Sequence, residues 1–423
     1  MRGQIPMAKR TIVVVGGGFA GLWSAAAAAR ARVELGLTDQ VAITLVAPDP
    51  FHSIRVRCYE TDLTPLAVPL DEVLDPIDVD RIEGSVTKID AAGRRLMVRV
   101  ADKPEPIALE YDRLILAAGS RLTRPPIPGV DLACDVDTLG GARQLASHLR
   151  DLGRCGSRPD QAGRWTAVVI GGGLVGIELA CELPARLAAA RDRAGATGPV
   201  RTLLVDRSVE VGSTMGGAAM PAIRQALAAA AVECISGTGV ATIDSTGVTL
   251  SDGTYIPALT VICATGMRAN PLAEDLDVTH DALGRLPVDA MMRVIGISAV
   301  FAAGDVAVAT ADDAGHTTVM SCQHARPMGR FAGNNAVYDL AGRSDLCLPF
   351  AAPDYVTVLD LGAWGAVYTS GWDRDRLIAD GAAAKATKRL INGSRIYPPL
   401  TRDAASILAA AAPVIQARPA TTG

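Results

Sequence analysis

The sequence has few aromatic residues and lacks the long apolar runs that mark membrane proteins. Phe, Trp and Tyr make up 4% of its 423 residues although 49% are hydrophobic, so Ala, Val, Leu and Ile supply most of the apolar bulk. No uncharged apolar run reaches the ~18 residues that a membrane-spanning helix needs, despite a mean hydropathy of +0.25. These features predict a core built from small aliphatic side chains and exclude a spanning transporter.

Charge and cysteine content exclude further classes of protein. The 41 basic and 45 acidic side chains give a net charge of −4 without a basic run, which argues against a nucleic-acid partner. The eight cysteines lack CxxC spacing, as is typical of reduced thiols in a cytoplasmic protein rather than of a disulfide scaffold or zinc module. The first residues pass directly into a strand pattern without an apolar targeting segment. We therefore expect a cytoplasmic protein without a metal site.

One structural plan occurs twice along the chain. A β-branched run at 11–15 leads into GGGFAG, and an apolar run at 167–170 leads into GGGLVG. In each copy a helix and then a strand follow; the helices are predicted at 22–32 and 177–193, and the strands at 41–46 and 201–205. Later in each copy, LILAAGS and VICATG end a strand at a glycine turn. The sequence therefore predicts an α/β protein with two Rossmann-like, three-layer dinucleotide-binding domains.

The repeated strand–turn–helix pattern gives way to a different pattern near residue 346. Before it, the prolines of RPPIPGV (124–130) favour extended backbone between the two halves. After it, the alternating stretch YVTVLDLGAWGAVY (355–368) predicts antiparallel strands. We expect the last part of the chain to form a small α+β domain with a tail.

The glycine turns predict where the diphosphate of a cofactor is held. Glycine lets the backbone approach a pyrophosphate without a Cβ in the way, and the phosphates then face the free N–H groups of a helix N-terminus. One GxGxxG sequence is a weak signal, whereas two in strand–turn–helix context are a strong one. The glycines are Gly16, Gly18 and Gly21 in the first turn and Gly171, Gly173 and Gly176 in the second.

The end of the next strand distinguishes the two sites. In the second copy this strand ends at Asp206, whose carboxylate can accept hydrogen bonds from a ribose diol and would repel a 2′-phosphate, so NADH is favoured over NADPH. Arg207 could bind that phosphate instead, which keeps NADPH as the alternative. In the first copy the equivalent residue is Ala47, and whether Asp49 reaches the ribose is left open.

A third signal is the sequence FAAGD, in which a strand ends at Gly304 and Asp305. A carboxylate in this place can bind the hydroxyl groups of an extended ligand. The alternative is a plain turn, which is less favoured beside two glycine turns.

Together, GGGFAG, LILAAGS, GGGLVGIELACEL, VICATG and FAAGDVA resemble the two-dinucleotide-domain flavoprotein reductases related to the pyridine nucleotide–disulfide oxidoreductases. Across residues 11–370 the chain is most similar to the type II NADH dehydrogenase branch. The resemblance implies that the first glycine turn and Asp305 hold FAD, and that the second turn and Asp206 hold NADH. It also implies an FAD domain (1–125 and 285–345), an NAD(P)H domain inserted in it (126–284) and a C-terminal domain (346–423).

The resemblance also assigns individual residues. Glu178 matches a glutamate near the nicotinamide and the flavin N5 atom, where a carboxylate could orient the amide or relay a proton. Its alternative role is to satisfy the dipole of the helix. The cofactor-binding residues implied in this way are Gly16, Gly18, Phe19, Ala20, Gly21, Ala118, Gly119, Gly171, Gly173, Leu174, Val175, Gly176, Glu178, Asp206, Arg207, Thr265, Gly266, Gly304, Asp305 and Gln323.

The electron acceptor is predicted from one segment. Residues 320–337 resemble the helix that covers the flavin on the acceptor side, where type II NADH dehydrogenases carry AQxAxQ. This chain keeps the first glutamine, Gln323, which we predict to be catalytic together with Glu178, but it has Pro327 in place of the second. A glutamine or histidine donor could bind a quinone carbonyl, so we expect a quinone-like acceptor.

Three alternatives stay open. No CxxxxC pair follows the first glycine turn, but Cys58 or Cys322 could serve a thiol-dependent reductase of a disulfide or peroxide. Arg55 and Arg57 would provide the positive surroundings that a reactive Cys58 needs. A small iron–sulfur carrier could be the acceptor instead, and a redox-sensing module would bind nucleotide without turnover.

A basic segment near the C-terminus raises the question of a membrane surface. In AAAKATKRLIN (382–392), Lys385, Lys388 and Arg389 alternate with apolar residues, so this segment could rest on anionic lipid. The alternative is the solvated face of a capping helix. We expect a cytoplasmic location, with peripheral contact at the inner face of the plasma membrane and a homodimer both left open.

Overall fold

The computed structural model describes residues 9–152 and 161–420. Its first sheet has five strands, all parallel to their neighbours. In order across the sheet these strands are Val300–Ala302, Arg113–Leu116, Arg10–Val15, Val41–Ala47 and Asp80–Glu83. The edge strand at 300–302 comes from a part of the chain that follows the whole second sheet.

The second sheet repeats this arrangement. Its five parallel strands, in order, are Cys134–Asp135, Thr260–Cys263, Thr166–Ile170, Arg201–Asp206 and Val232–Ser236. In both sheets the strand that leads into the glycine turn is the central one. Because the strands are parallel, the carboxyl ends of its two neighbours lie at the same edge of the sheet as the turn. The central strands are buried on both faces, which explains their apolar, β-branched sequences.

Small antiparallel elements complete the three units. In each Rossmann-like unit a three-stranded meander is inserted between two strands of the parallel sheet, and a third meander forms the C-terminal sheet. Their strands are Ser85–Asp90, Arg95–Arg99 and Ile107–Glu110; Val240–Asp244, Gly247–Leu250 and Tyr255–Pro257; and Val356–Asp360, Ala366–Ser370 and Arg376–Asp380. Shorter antiparallel pairs join Phe51–Ser53 to Ala67–Pro69 and Ser120–Leu122 to Met267–Ala269, and a parallel pair joins Leu286–Pro287 to Ala307–Val308.

The helices of the described residues are numbered in chain order. They are α1 (Phe19–Glu34), α2 (Asp71–Leu74), α3 (Leu139–Asp151), α4 (Leu174–Arg193), α5 (Met220–Ala229), α6 (Cys322–Leu340), α7 (Gly381–Leu390) and α8 (Ala404–Ala410). Both predicted crossover helices are present, and each begins three residues earlier than the apolar pattern suggested, directly at its glycine turn. The predicted α/β fold class is confirmed.

The helices α1 and α6 pack against each other and against strands of the first sheet. Almost all of α1 is buried, and its Ala-rich sequence allows a close approach. A Cβ atom on Gly333 would overlap the backbone oxygen of Ser24, and one on Gly329 would overlap that of Ala20. The two glycines therefore let the helix backbones touch.

Replacing Gly333 with alanine tests this contact. We expect Gly333→Ala to lower the free energy of unfolding by about 1–3 kcal/mol, because the added methyl group must push two buried helices apart. The matched control is Gly393→Ala, since a Cβ at Gly393 would meet no atom within 4 Å. Equal stability of both variants in denaturant unfolding would contradict this packing.

Candidate functional site

The first glycine turn connects the central strand to α1 with its backbone exposed toward a ligand. Gly16 has φ +115°, and a Cβ there would lie within 3 Å of the Ala117 backbone. A Cβ on Gly21 would overlap the oxygen of Gly16. Gly18 begins α1 with open space around it, and no side chain caps the helix. The first N–H groups of α1 are therefore free to bind an anion.

The second glycine turn has the same geometry. Gly171 has φ +110°, and its missing Cβ makes room for the backbone of Ala264. A Cβ on Gly176 would overlap the oxygen of Gly171, whereas Gly173 faces open space and begins α4 without a side-chain cap. Two helix N-termini of the same construction thus lie at the ends of the two parallel sheets.

Predicted residues beside these glycines lie in the first turns of the helices. Phe19 and Ala20 are buried in α1, and Leu174 and Val175 begin α4 with the Val175 side chain exposed. These residues bring their backbone N–H groups to the helix ends.

A cavity of about 550 Å³ lies at the second turn. Its walls contain predicted cofactor residues from three separate segments: Gly171, Gly173, Asp206, Arg207, Thr265 and Gly266. Its volume falls within the range of small-molecule sites. The prolines of the segment between the two halves, Pro125 and Pro126, form another wall.

Asp206 is held at the rim of this cavity. Its carboxylate accepts hydrogen bonds from the N–H groups of Gly172 and Ser208, the latter at 2.7 Å. Burial opposes ionisation, but these hydrogen bonds outweigh it and lower the pKa of Asp206, so the carboxylate is charged at neutral pH. Ala47 occupies the equivalent place in the first turn, where Gly17 approaches it as closely as Gly172 approaches Asp206.

The fold brings Asp305 next to the Ala118–Gly119 turn, which is also predicted to bind FAD. Gly304 has φ +77°, and a Cβ there would lie 2.7 Å from that of Ala20. The Ser120 hydroxyl donates to Asp305 Oδ2 at 2.7 Å, which joins the Ala118–Gly119 turn to the Gly304–Asp305 turn. Burial raises the pKa of Asp305. The four predicted residues of these two turns therefore lie together.

Arg55 belongs to this cluster and not to a thiol site. Its guanidinium donates to Ser120 Oγ at 3.0 Å, lies 3.8 Å from Asp305 Oδ2 and pairs with Asp137. In the sequence, Arg55 stands out only as a basic neighbour of Cys58. The carboxylate of Asp305, which it faces in the structure, lies 250 residues further along the chain, so no local pattern indicates this contact.

Glu178 is fully enclosed, with 1% of its surface exposed. Its Oε1 atom accepts hydrogen bonds from Lys388 Nζ at 2.7 Å and from the Asp360 N–H at 3.0 Å. Its Oε2 atom is buried without a hydrogen-bond partner in the described part of the chain. Burial raises the pKa of Glu178, and the Lys388 ammonium opposes this shift. Glu178 is therefore held in place by the C-terminal unit, with one oxygen free.

The sequence predicts that Lys385 and Lys388 face a membrane surface or solvent, and the structure shows that this prediction is wrong for both lysines. Lys388 is buried against Glu178 and donates a further hydrogen bond to Val358 O at 3.0 Å. Lys385 pairs with Asp360 and donates to Gly362 O at 3.0 Å. Only Arg389, of the three basic residues in this segment, is exposed. The lysines bind carboxylates from other elements, which the local pattern does not reveal.

Gln323 lies in the first turn of α6. Its Nε2 atom donates to Asp354 O at 3.0 Å, so the amide is positioned by the segment that leads into the C-terminal sheet. The Ser321 hydroxyl accepts from the His324 N–H and caps the helix. Pro327 is buried inside α6 and has no donor to offer.

His324 presents a ring nitrogen that has no hydrogen-bond partner among the described residues. It is 1% exposed, and its Nδ1 atom lies 2.9 Å from Val319 N and 3.3 Å from Val319 O. Accepting the shorter of these hydrogen bonds, from the Val319 N–H, leaves the proton of the neutral ring on Nε2. Burial lowers the pKa of His324 to about 4, which keeps the ring neutral. Nε2 is buried without a partner among the described residues.

Neither candidate thiol is activated. Cys58 is 1% exposed, and burial raises its pKa to about 12. Burial also raises the pKa of Cys322. Since the thiolate is the reactive form, these environments argue against the thiol-dependent alternative.

No helix in residues 9–152 and 161–420 combines the length and the apolar character needed to cross a bilayer. The same residues contain no group of three or more His, Cys, Asp or Glu side chains arranged to hold a metal ion.

Comparison with known proteins identifies the family. Residues 10–329 match the family described as pyridine nucleotide-disulphide oxidoreductase. The chain belongs to this family. Its members bind FAD and NAD(H), so the predicted cofactors and the assignment as an oxidoreductase are confirmed.

Two relatives and one solved structure of the same fold are similar to the chain. It is 49% identical to an NADH dehydrogenase-like protein of Mycobacterium tuberculosis over 410 residues, covering 96% of this chain and 99% of that protein. It is 27% identical to a demethylphylloquinone reductase of Synechocystis, covering 91% of each. The structure of NDH2 from Plasmodium falciparum in complex with NADH has a TM-score of 0.77 at 12% identity, covering 95% and 97%. The chain is thus an NADH dehydrogenase-like oxidoreductase.

The pair of Glu178 and Lys388 gives a test of how this reductase is held together. We expect Lys388→Met to lower the free energy of unfolding by about 3–5 kcal/mol at pH 8, because it leaves a buried carboxylate unpaired. The loss should shrink at pH 5, since a carboxyl group with a raised pKa contributes its stability below that pKa and loses it as the pH rises.

The double variant Glu178→Gln/Lys388→Met provides the control. It should recover most of the lost stability, because neither side chain of the pair is then charged. Additive losses in denaturant unfolding, or a loss independent of pH, would show that the two side chains are not coupled.

Proposed function

We propose that the protein oxidises NADH and passes two electrons through FAD to a quinone-like acceptor. The observation that carries the proposal is the pair of uncapped helix N-termini at Gly18 and Gly173, each at the carboxyl edge of a parallel sheet. Two such termini in one chain fit two dinucleotides.

The first turn and Asp305 fit FAD. The backbone at Gly18 leaves space for a diphosphate, and Asp305 lies beside the turn where an extended ligand passes. Bound FAD would supply the redox centre between a two-electron donor and the acceptor. The residues of this chain supply binding, orientation and protons.

The second turn and its cavity fit NADH. Asp206 is charged and its oxygens keep lone pairs beyond the two backbone hydrogen bonds, so it can accept from a ribose diol. The same charge would repel a 2′-phosphate. Arg207 also lines the cavity, and its guanidinium favours NADPH.

Glu178 is proposed to act between the two cofactor sites. Its free Oε2 atom and its raised pKa suit a carboxyl group that holds a proton or accepts a hydrogen bond from an amide. Lys388 and the Asp360 N–H hold the other oxygen, so the group is positioned before a ligand binds.

The acceptor is proposed to meet the first turn of α6. The neutral His324 ring offers its Nε2–H, and the Gln323 amide lies one residue away, so either can donate to a carbonyl oxygen. The helix N-terminus adds positive potential there. The name of the Synechocystis relative, a demethylphylloquinone reductase, supports a quinone as the acceptor class.

The location and assembly belong to the same proposal. A lipid-soluble quinone would be reached at the inner face of the plasma membrane, so we propose a cytoplasmic protein with peripheral contact there. The homodimer stays a prediction.

Anaerobic reduction tests the proposed reaction. NADH should bleach the flavin absorbance of the purified protein faster than NADPH, and a quinone such as menadione should restore it. Disulfides and peroxide should not restore it, and Cys58→Ser should behave as the unaltered protein. Colourless protein that fails to bind added FAD, or reoxidation by disulfides alone, would contradict the proposal.

Asp206 tests the choice of nucleotide. Asp206→Ala should raise KM for NADH about 10- to 100-fold, because a hydrogen bond to a charged group contributes ~1.5–3 kcal/mol. KM for NADPH should change less or fall, since the repulsion is removed. The control is Asp252→Ala, an exposed turn carboxylate. Equal changes for both nucleotides would exclude a ribose contact.

A further inference from the structure

We propose that Arg326 and Arg330 form an anion subsite for the electron acceptor, which would make the preferred acceptor a quinone that carries an acidic substituent such as a carboxylate. This inference rests on the proposed function and narrows its acceptor class. The two residues, called the arginine pair below, lie one turn apart on α6. They lie on the same helix as Gln323 and His324, the two proposed donors, and begin two residues after His324.

The arginine pair is buried against one aromatic ring. Each residue is 7% exposed. The guanidinium carbon of Arg330 lies 4.2 Å from the centre of the Trp23 ring, and that of Arg326 lies 5.3 Å from it. The ring face holds both cations, but it supplies neither a hydrogen-bond acceptor nor a negative charge.

The arginine pair lacks the partners that other buried arginines have. Neither residue forms a hydrogen bond or ion pair with any described residue, and the Nε atoms of both are buried without an acceptor, as is Trp23 Nε1. Among the described residues, every other buried arginine donates a hydrogen bond to an oxygen atom. These contacts are Arg32 to Ile77 O (2.9 Å), Arg164 to Leu152 O (2.7 Å), Arg186 to Tyr59 O (3.3 Å) and Arg285 to Asp281 Oδ2 (2.7 Å).

The surrounding titratable groups do not neutralise the pair. Arg395 adds a further positive charge near Arg326, burial keeps Cys322 protonated by raising its pKa, and burial lowers the pKa of His52 to about 4. Burial lowers the pKa of both arginines to about 10, so both remain charged at neutral pH. Two enclosed charges without a counter-ion are costly, and an anionic ligand would remove that cost.

The distance along α6 between Gln323 and the arginine pair matches the length of a small aromatic acid. Measured along the axis of α6, the backbone positions of Arg326 and Arg330 lie about 4.5 and 10.5 Å beyond that of Gln323, at ~1.5 Å per residue. A bicyclic quinone could therefore place a carbonyl at the first turn of the helix and a carboxylate at the arginine pair. A guanidinium binds a carboxylate through two parallel hydrogen bonds, which gives both affinity and orientation.

Binding of a redox-inactive probe tests the subsite without turnover. 2-Naphthoate should bind the FAD-loaded protein in isothermal titration, and 2-naphthamide, its uncharged analogue, should bind at least about tenfold more weakly, as expected for loss of a charge-assisted pair. Arg330→Gln should remove this difference. Arg326→Gln is the second variant, and Arg389→Gln, an exposed arginine of α7, should leave it unchanged. Equal binding of the two probes to the unaltered protein would overturn the proposal.

Turnover links the subsite to the acceptor. KM for 1,4-naphthoquinone-2-sulfonate should rise about tenfold or more in Arg330→Gln, while KM for menadione, FAD content and bleaching by NADH stay within twofold. A variant that loses FAD would show that the pair serves the cofactor instead, and equal rises for both quinones would show a structural role. Failure of the unaltered protein to reduce menadione would refute the proposed function, whereas the probe binding would still decide the subsite.

Discussion

The structure depends on backbone contacts that only glycine permits at two turns. Gly21 meets the oxygen of Gly16, and Gly176 meets that of Gly171, so each helix begins directly at the end of its strand. This contact leaves Gly18 and Gly173 facing open space with their helix ends uncapped. A helix end without a cap has unsatisfied N–H groups, which a ligand diphosphate satisfies.

The C-terminal unit contributes to the site rather than only covering it. Lys388 and the Asp360 N–H hold one oxygen of Glu178, and Asp354 positions the amide of Gln323. The two residues predicted to be catalytic are thus both fixed by the same small sheet and its flanking segments. The family match ends at residue 329, before this unit begins. Differences in acceptor between relatives would therefore be sought in this region.

The features predicted correctly from the sequence are those that short motifs encode. The features it did not predict depend on contacts between residues that lie far apart in the chain. The strands, both glycine turns and Asp206 follow from local patterns, because a turn, a strand end and a helix start adjoin in the chain. Lys388 was placed on a surface because its partner lies 210 residues away, and a helical pattern cannot show a buried carboxylate. Cys58 was left open as a reactive thiol because of its basic neighbours, but burial, which those neighbours do not determine, decides its pKa.

The central claim is that the two helix N-termini hold the diphosphates of two cofactors whose reactive rings meet near Glu178. A crystal structure of the protein with FAD and NADH tests it most directly. The account predicts one diphosphate at the N–H groups of Gly18 and the other at those of Gly173, with the nicotinamide ring beside Glu178. A diphosphate bound elsewhere, or two rings too far apart for hydride transfer, would contradict it.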